Sequence, residues 1–323
     1  MVARRNKTLQ GTYKKKRFAV DDFDLTCLAI PTILWYILFC YIPMFGVVMA
    51  FKNYKVRPGR GFLYSLFVNS KWVGLENFRF LFRGRDAMLM FRNTIGYNLA
   101  FIVLGVLIPV TLAILISQLH SKKLAKVTQT SMFLPHFLSW VVVSYFVFAF
   151  MSTDKGLINR LLRAAGYVGT TNWYQNQRVW PFVLVFLQVW KTMGYNMVVY
   201  LASISGIDGA LYEAALIDGA GKAQQVRHIT LPLLRPIISI MFILAVGNIF
   251  RTDFGLFYQA TRNAGAIADV TMTIDVYVYK ILMGRSNVNY SSAAALLQSV
   301  FGLVTIVLAN VAVKRIDPDS GLF

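Results

Sequence analysis

Charged side chains are scarce in this sequence. Asp, Glu, Lys and Arg make up 15% of its 323 residues and 57% of the residues are hydrophobic, whereas a soluble domain carries about 25% charged residues. The charges that are present are unbalanced, with 33 Lys and Arg against 14 Asp and Glu. Basic residues interleaved with long apolar runs fit lipid headgroups or anionic solutes better than nucleic acid. The composition predicts an integral membrane protein that contacts membrane lipid and has no nucleic-acid partner.

Cysteine and histidine are rare as well. Cys27 and Cys40 lie in one apolar run, and a helix would hold them about 20 Å apart, which excludes a disulfide. The three histidines, His120, His136 and His228, are scattered along the chain. Because a metal site needs several such ligands close together, the sequence predicts none.

The sequence also lacks a phosphate-binding loop. That loop requires Gly, four residues, then Gly-Lys and Ser or Thr. The one Gly-Lys pair, Gly221-Lys222, is followed by Ala223, and Leu216 stands at the place of the first glycine. We therefore expect a non-catalytic chain that binds no cofactor of its own.

Acidic residues are almost absent from the apolar runs. This argues against the main alternative function, an ion-driven secondary transporter, which needs carboxylates near the bilayer centre. An intramembrane enzyme would need a metal cluster or an activated nucleophile, and the sequence shows neither.

Six apolar segments are present, each close to the roughly 20 residues with which a helix crosses hydrocarbon. They predict an all-α membrane protein with about six transmembrane helices and both chain ends on one side. We assign residues 1–24 to a basic tail and surface helix, 25–315 to the six-span domain and 316–323 to a short tail. The spans are placed at residues 25–51, 93–118, 132–151, 181–203, 234–257 and 293–313.

A polar stretch, residues 204–233, separates the fourth and fifth spans. Residues 210–217 favour a helix that begins at Asp208 and Gly209, and Asp218-Gly219 is a strong turn signal. Residues 223–229 can form a second short helix, which Pro232 is expected to stop. The stretch is therefore predicted as a helix–turn–helix that lies at the membrane surface.

At this stretch the sequence resembles a family. Glu-Ala-Ala, three residues, Gly, nine residues and Ile-x-Leu-Pro is similar to the cytoplasmic loop in permease subunits of binding-protein-dependent ABC importers, which share the type I permease fold. The resemblance implies a coupling helix that docks on an ATPase, with Glu213 contacting a basic group there and Gly219 permitting the turn. The residues it implicates in ATPase coupling are Glu213, Ala214, Ala215, Asp218, Gly219, Ile229, Leu231 and Pro232.

The resemblance also implies partners and a location. A second permease chain, expected to be a different chain, would complete the pore, and two copies of a cytoplasmic ATPase would bind ATP and Mg. An extracytoplasmic binding protein would deliver a saccharide. The chain would lie in the bacterial inner membrane with both termini in the cytoplasm. Lys and Arg are divided almost equally between the two sides, so the positive-inside rule leaves the orientation to this resemblance.

Polar residues in or near the spans are candidates for a substrate path. A charge there costs about 2.5–3.5 kcal/mol on insertion scales, so it usually faces a cavity or a partner, although snorkelling and helix–helix hydrogen bonds are alternatives. The path candidates are Lys191, Asn196, Asn248, Arg251 and Asp253.

Two similarities suggest the cargo. The stretches around Trp72 and Thr271 are similar to maltose-type permeases for complex saccharides, which implies an oligo- or polysaccharide moved by alternating access. The basic outer loops, with Lys191 and Arg251, would suit an acidic, alginate-like polymer. Alternatively, those loops match an acidic binding protein or the lipid surface.

Two outer segments keep two interpretations each. Residues 72–82 predict an amphipathic, aromatic surface helix, either a docking shelf for a binding protein or an interfacial anchor. Residues 172–176 combine aromatic side chains with amides, which is typical of sugar-binding loops and of ordinary interface loops.

Overall fold

A computed structural model describes residues 20–55, 59–83, 85–285, 288–316 and 321. The basic run at residues 14–17 and most of the C-terminal tail lie outside these ranges. The chain divides into two compact units, one ending at Val48 and the other beginning at Met49. Five described helices are long and apolar enough to cross a membrane, or six if one bent pair counts as a single span. This confirms the predicted all-α membrane fold.

The first unit is helical throughout its described part. Helix α1 (Val20–Tyr36) continues through a π-turn (Ile37–Tyr41) into α2 (Ile42–Met44). The apolar stretch Leu25–Phe51 matches the first predicted span. Pro43 lies two residues after the π-turn, whose shifted hydrogen bonds accommodate the N–H that proline lacks.

The second unit begins with a small subdomain that contains two short strands and a helix. Strand β1 (Lys52–Asn53) pairs antiparallel with β2 (Lys71–Trp72), and α3 (Phe62–Phe67) lies between them in the chain. The predicted surface helix over 72–82 is wrong, since only Glu76–Leu81 is helical, as a 3₁₀ turn. The reason is Asn77, whose buried amide donates to the carbonyl oxygens of Ala50 and Lys52, both at 2.9 Å, and ties this segment to the strand.

Helices α4 (Arg85–Ser117) and α8 (Trp180–Ser205) form the central pair. They contain the predicted second and fourth spans, and α4 begins eight residues earlier than predicted. Their N-terminal halves contribute Tyr97, Leu184 and Leu187 to a buried apolar cluster that also includes Phe257. Pro109 lies inside α4, as membrane helices tolerate.

The third predicted span, 132–151, is not one helix. Helix α5 (Lys122–Phe133) and a 3₁₀ turn (Leu134–Phe137) are bent by 100° from α6 (Trp140–Met151). Leu138 is extended, and the Ser139 hydroxyl accepts the Val142 N–H at 3.3 Å to begin α6. Because 12 residues rise only about 18 Å, α6 cannot cross the hydrocarbon alone.

Helix α5 supplies the other half of this broken span. A Cβ built on Gly194 of α8 would stand 1.9 Å from the Met132 carbonyl oxygen, so α5 packs backbone to backbone against the middle of α8. The break between α5 and α6 therefore lies beside the middle of α8, which packs along α4.

The segment between α6 and α8 contains α7 (Leu157–Ala164) and the predicted sugar-binding loop. Its aromatic side chains are half-buried, and Trp173 donates its indole N–H to Asn159 Oδ1 at 3.0 Å. Burial raises the pKa of the Tyr174 phenol to about 12, although the positive charge of Arg262 works in the opposite direction. The aromatic side chains of residues 172–176 are therefore not fully exposed, and sugar binding by this loop stays a prediction.

The fifth span differs from the prediction at both ends. After α9 (Gly209–Ile217), helix α10 (Lys222–Gln225) runs through a π-turn (Val226–Thr230) into α11 (Leu231–Gly247) without a stop. Pro232 does not end a helix, because the π-turn before it changes the hydrogen-bond register, as before Pro43. Helix α11 ends at Gly247 rather than at residue 257, and an irregular segment precedes a π-turn (Gly255–Ala260).

Three helices complete the unit: α12 (Ala268–Thr271), α13 (Ile274–Arg285) and α14 (Val288–Ile316). Helix α14 contains the predicted sixth span and packs on α11 and α13. The loop before α13 is bound to α4, since Asn93 Nδ2 donates to the carbonyl oxygens of Asp269 at 3.0 Å and Met272 at 2.9 Å.

Candidate functional sites

Two helix breaks meet at one polar cavity. The break between α5 and α6 and the irregular segment after α11 both line a space of about 290 Å³, with α4 and α8 as its other walls. This cavity contains four of the five predicted path residues, Asn196, Asn248, Arg251 and Asp253. Irregular backbone at membrane depth occurs where it is buried in protein or lines a water-filled cavity, and both breaks lie at this space.

The fifth predicted path residue, Lys191, is engaged at the break instead. Its ammonium donates to the His136 carbonyl oxygen at 2.8 Å and lies 5.5 Å from the centre of the Trp140 ring. It thus stabilises the carbonyl end of the 3₁₀ turn and the start of α6 together. The structure places Lys191 behind the cavity wall rather than among the residues that line the cavity.

Arg251 and Asp253 are not partners of each other. The guanidinium of Arg251 donates to Ser299 Oγ at 3.0 Å and forms no salt bridge with any residue in the described ranges. The Asp253 carboxylate instead accepts the Trp140 indole N–H and, at 2.9 Å, the Gly255 N–H. Trp140 therefore joins the two broken spans, whereas Arg251 is exposed and has no carboxylate partner in the described ranges.

The remaining wall offers an aromatic face and amides. Tyr195, which is 47% exposed, stacks on His136 with ring centroids 4.7 Å apart. Thr192 and Gln188 lie beside it. A flat ring, amide groups and a cation without a salt-bridge partner in the described ranges are the groups that bind sugar faces, hydroxyls and carboxylates, and the Asp253 carboxylate lines the same cavity.

Sequence reasoning missed several of these residues. Asn98 and Trp140 each fix part of the cavity wall, and Tyr195 presents its ring to the space. Asn98 could have been found as a polar residue within an apolar run. Trp140 and Tyr195 carry no such signal, because aromatic residues are common in membrane helices.

The polar stretch between the fourth and fifth spans has the predicted first helix and turn. Asp208 Oδ1 accepts the Ala210 N–H at 3.0 Å at the start of α9, and Gly219 follows its end with φ +76°. The Ala220 N–H then donates to the Ala215 carbonyl oxygen at 2.8 Å, which closes the turn.

Of the eight predicted coupling residues, four are exposed on α9 and the turn after it, and four face or belong to the helix that follows α9. Glu213, Ala214, Asp218 and Gly219 are exposed, and the neighbouring Ile217 side chain is 87% exposed. Ala215 and Ile229 line a shallow cavity of about 290 Å³ between α9 and the following helix. Leu231 and Pro232 begin α11.

Two hydrogen bonds hold α9 and the turn after it against the following helix. Tyr212 Oη and Thr230 Oγ1 lie 2.9 Å apart, and the buried Gln225 amide donates to the Ala220 carbonyl oxygen at 3.1 Å. The polar stretch therefore presents a short helix with an exposed apolar end on a rigid support, as a docking element requires.

Comparison with known proteins agrees with this geometry. Residues 105–319 match the family described as binding-protein-dependent transport system inner membrane component. The chain belongs to this family. Protein LplB of Bacillus subtilis (strain 168) is 32% identical over 308 residues, covering 94% of this chain and 92% of that protein. The polygalacturonan/rhamnogalacturonan transport system permease protein YteP of the same organism is 33% identical over 311 residues, with 95% and 94% covered.

Solved structures extend the similarity to the fold. A crystal structure of a bacterial ABC transporter involved in the import of the acidic polysaccharide alginate matches with TM-score 0.81 and 28% identity, covering 92% of this chain and 97% of that one. A second structure, of an alginate ABC transporter in complex with an alginate pentasaccharide-bound periplasmic protein, matches with TM-score 0.80 and 29% identity, with 92% and 96% covered.

These findings confirm the family predicted from the Glu213 stretch. The chain is an inner-membrane permease component of the type found in sugar importers. The side of the membrane on which each loop lies, and the roles of the individual residues, stay predictions.

Proposed function

We propose that this chain forms half of the translocation path for an acidic oligo- or polysaccharide. A periplasmic binding protein would deliver the saccharide, and a second permease, expected to be a different chain, would complete the pore. Two copies of a separate ATPase would bind ATP and Mg and drive alternating access. The relatives' names support a polysaccharide, since YteP is named for polygalacturonan and rhamnogalacturonan and the two structural relatives for alginate.

The observation that carries the acidic cargo is the charge of Arg251. Arg251 is exposed and lines both the polar cavity and a second space between α11 and α14, where its guanidinium contacts Ser299, and no described carboxylate lies within salt-bridge distance. Near a protein surface, a cation attracts an anionic group more strongly than it would in bulk solvent. A guanidinium also matches a carboxylate with two parallel hydrogen bonds. A uronate passing Arg251 would supply the missing partner.

The exposed surface of α9 supports the ATPase part of the proposal. Glu213 forms no hydrogen bond or ion pair within the described ranges, and Leu216 and Ile217 are 63% and 87% exposed. Apolar side chains exposed beside an unengaged carboxylate are expected at a protein interface rather than in water. A basic group on the ATPase would pair with Glu213.

ATP hydrolysis by the reconstituted complex tests this function. The complex is supplied with binding protein loaded with a uronate oligosaccharide or with a neutral one of the same length. We expect stimulation by the acidic ligand, and we expect Arg251→Gln to remove most of the preference, because the cation is lost while the side chain remains polar. Lys191→Gln serves as the comparison, since that ammonium faces the helix break.

Each outcome tests a different part of the proposal. Stimulation by the neutral ligand alone would keep an importer and reject the acidic cargo. Equal loss of preference in the two variants would mean that net charge, not the position of Arg251, selects the cargo. If no ATPase co-purified with the chain, the ATP-driven mechanism would be rejected in favour of an ion-driven transporter.

A further inference from the structure

The segment that carries Arg251 is not α-helical and keeps only short-range backbone hydrogen bonds, such as that from the Arg251 N–H to the Asn248 carbonyl oxygen at 2.9 Å. Helix α11 ends at Gly247, and residues 248–253 follow an irregular course before the π-turn. Backbone groups at membrane depth need other partners, since each unsatisfied group there costs several kcal/mol. The side chains that supply those partners decide where the Arg251 guanidinium lies.

Two amide side chains hold the carbonyl groups of this segment. Asn98 on α4 donates through Nδ2 to the carbonyl oxygens of Ile249 at 2.8 Å and Arg251 at 3.0 Å. Gln298 on α14 donates through Nε2 to the Phe250 carbonyl oxygen at 2.8 Å. Asn98 and Gln298 are each 8% exposed.

A carboxylate holds the next residue. Asp275 Oδ2, at the start of α13, accepts the Thr252 N–H at 2.7 Å and lies 2.8 Å from the Thr252 hydroxyl. Its other oxygen, Oδ1, accepts from Gln298 Nε2 at 3.1 Å. Each Asp275 oxygen thus accepts an N–H, and the two clamping side chains on α13 and α14 are joined.

We propose that Asn98, Asp275 and Gln298 are positioning residues that fix the Arg251 guanidinium in the cavity and so set its preference for acidic cargo. This inference rests on the proposed function. Three helices contribute one side chain each, so a movement of α4, α13 or α14 would move the cation. Asp275 accepts from backbone and amide donors and Asp253 accepts from Trp140 and Gly255, and neither carboxylate forms a salt bridge with Arg251.

We call Asn98, Asp275 and Gln298 the clamp. Near-isosteric substitutions in the clamp replace a hydrogen-bond donor by an acceptor, or an acceptor by a donor. Gln298→Glu places a carboxylate oxygen against the Phe250 carbonyl and Asp275, so two attractions become repulsions. Asp275→Asn must turn an amide N–H toward either Thr252 or Gln298, both of which donate. These changes keep the side-chain volume, and the cavity lining itself is untouched.

Two measurements on the reconstituted complex test the clamp. Hydrogen exchange of the Thr252 amide should be at least about tenfold faster in Gln298→Glu and Asp275→Asn, because that N–H donates to Asp275 Oδ2 and both variants disturb this acceptor. The preference of stimulated ATP hydrolysis for uronate-loaded over neutral-loaded binding protein should fall about tenfold, while unstimulated hydrolysis is unchanged.

Gln177→Glu is the matched control. Gln177 Nε2 donates to the Ala266 carbonyl oxygen at 2.8 Å on the outer surface, so this variant loses the same kind of bond outside the clamp. It should change neither measurement at the cavity.

The outcomes distinguish the clamp from the proposed cargo. Faster exchange with an unchanged cargo preference would overturn the positioning role, and unchanged exchange would overturn the clamp itself. A wild-type complex without any acidic preference would reject the proposed cargo, and the exchange measurement alone would then decide whether the clamp exists.

Discussion

Two cations predicted for the same path have different surroundings, and the difference is visible only at the level of single contacts. Lys191 is bonded to the His136 carbonyl oxygen and covers the Trp140 ring. Arg251 contacts a serine hydroxyl and faces open space. A positive charge in a membrane span is therefore a candidate for cargo contact only if its side chain is not already engaged by carbonyl oxygens or aromatic rings.

Gly219 offers a residue-scale prediction for the coupling turn. We expect Gly219→Val to reduce binding-protein-stimulated ATP hydrolysis several-fold, because a β-branched residue at φ +76° is strained by about 1–3 kcal/mol. A Cβ at this position would meet no atom within 4 Å, so the defect is conformational rather than steric.

The control for this turn is Gly221→Ala, two residues later. Gly221 has φ −70°, and its added Cβ would meet only the Gln224 side-chain oxygen at 3.8 Å. Alanine should therefore be tolerated. Normal stimulated hydrolysis in a folded Gly219→Val complex would show that the turn does not transmit the ATPase movement.

The structural elements show which parts of the fold are readable from sequence. The start of α9 at Asp208 and the turn at Gly219 depend on neighbours in the chain, so local signals predict them. The cavity depends on contacts such as Asn98 with Ile249, which are 151 residues apart. No local pattern encodes such a contact.

The two wrong span predictions have one common cause. Apolar composition marks residues 132–151 and 234–257 as spans, but it does not show whether a helix continues through them. The break at Leu138 and the end of α11 at Gly247 are stabilised by side chains from other helices, including Lys191 and Asn98. Apolar composition shows which residues can lie within the membrane, whereas hydrogen bonds between helices decide whether a helix continues through those residues.

The contact between the two breaks yields an element-scale prediction. Trp140→Phe removes the indole N–H that binds Asp253 and keeps an aromatic ring near Lys191. We expect the free energy of unfolding to fall by about 1.5–3 kcal/mol, the usual contribution of a hydrogen bond to a charged group. Thermal unfolding of the purified complex measures this loss.

Trp190→Phe is the comparison for that measurement. Trp190 lines two apolar grooves on α8 and makes no hydrogen bond recorded for the described residues. It loses a similar ring area without losing a bond to a carboxylate. If both variants unfolded at the same temperature, Trp140 would contribute through packing alone, and the two breaks would not be joined by Asp253.

For the molecule as a whole, the distribution of charge does not determine which side of the membrane each loop faces. Basic residues are shared almost equally between the two sides, so the positive-inside rule favours neither arrangement. Helix α8 separates the loop around Val168 from the α9 loop. The two loops must lie on opposite sides of the membrane, because one span joins them.

Single cysteines determine the orientation. In a background with Cys27→Ser and Cys40→Ser, Val168→Cys and Ile217→Cys replace side chains that are 98% and 87% exposed. A membrane-impermeant maleimide added to intact spheroplasts should label position 168 and should label position 217 only after permeabilisation. The cysteine-free background controls for other labelling. Labelling of position 217 in intact spheroplasts would place the Glu213 loop outside, where it could not reach a cytoplasmic ATPase, and would refute the proposed coupling.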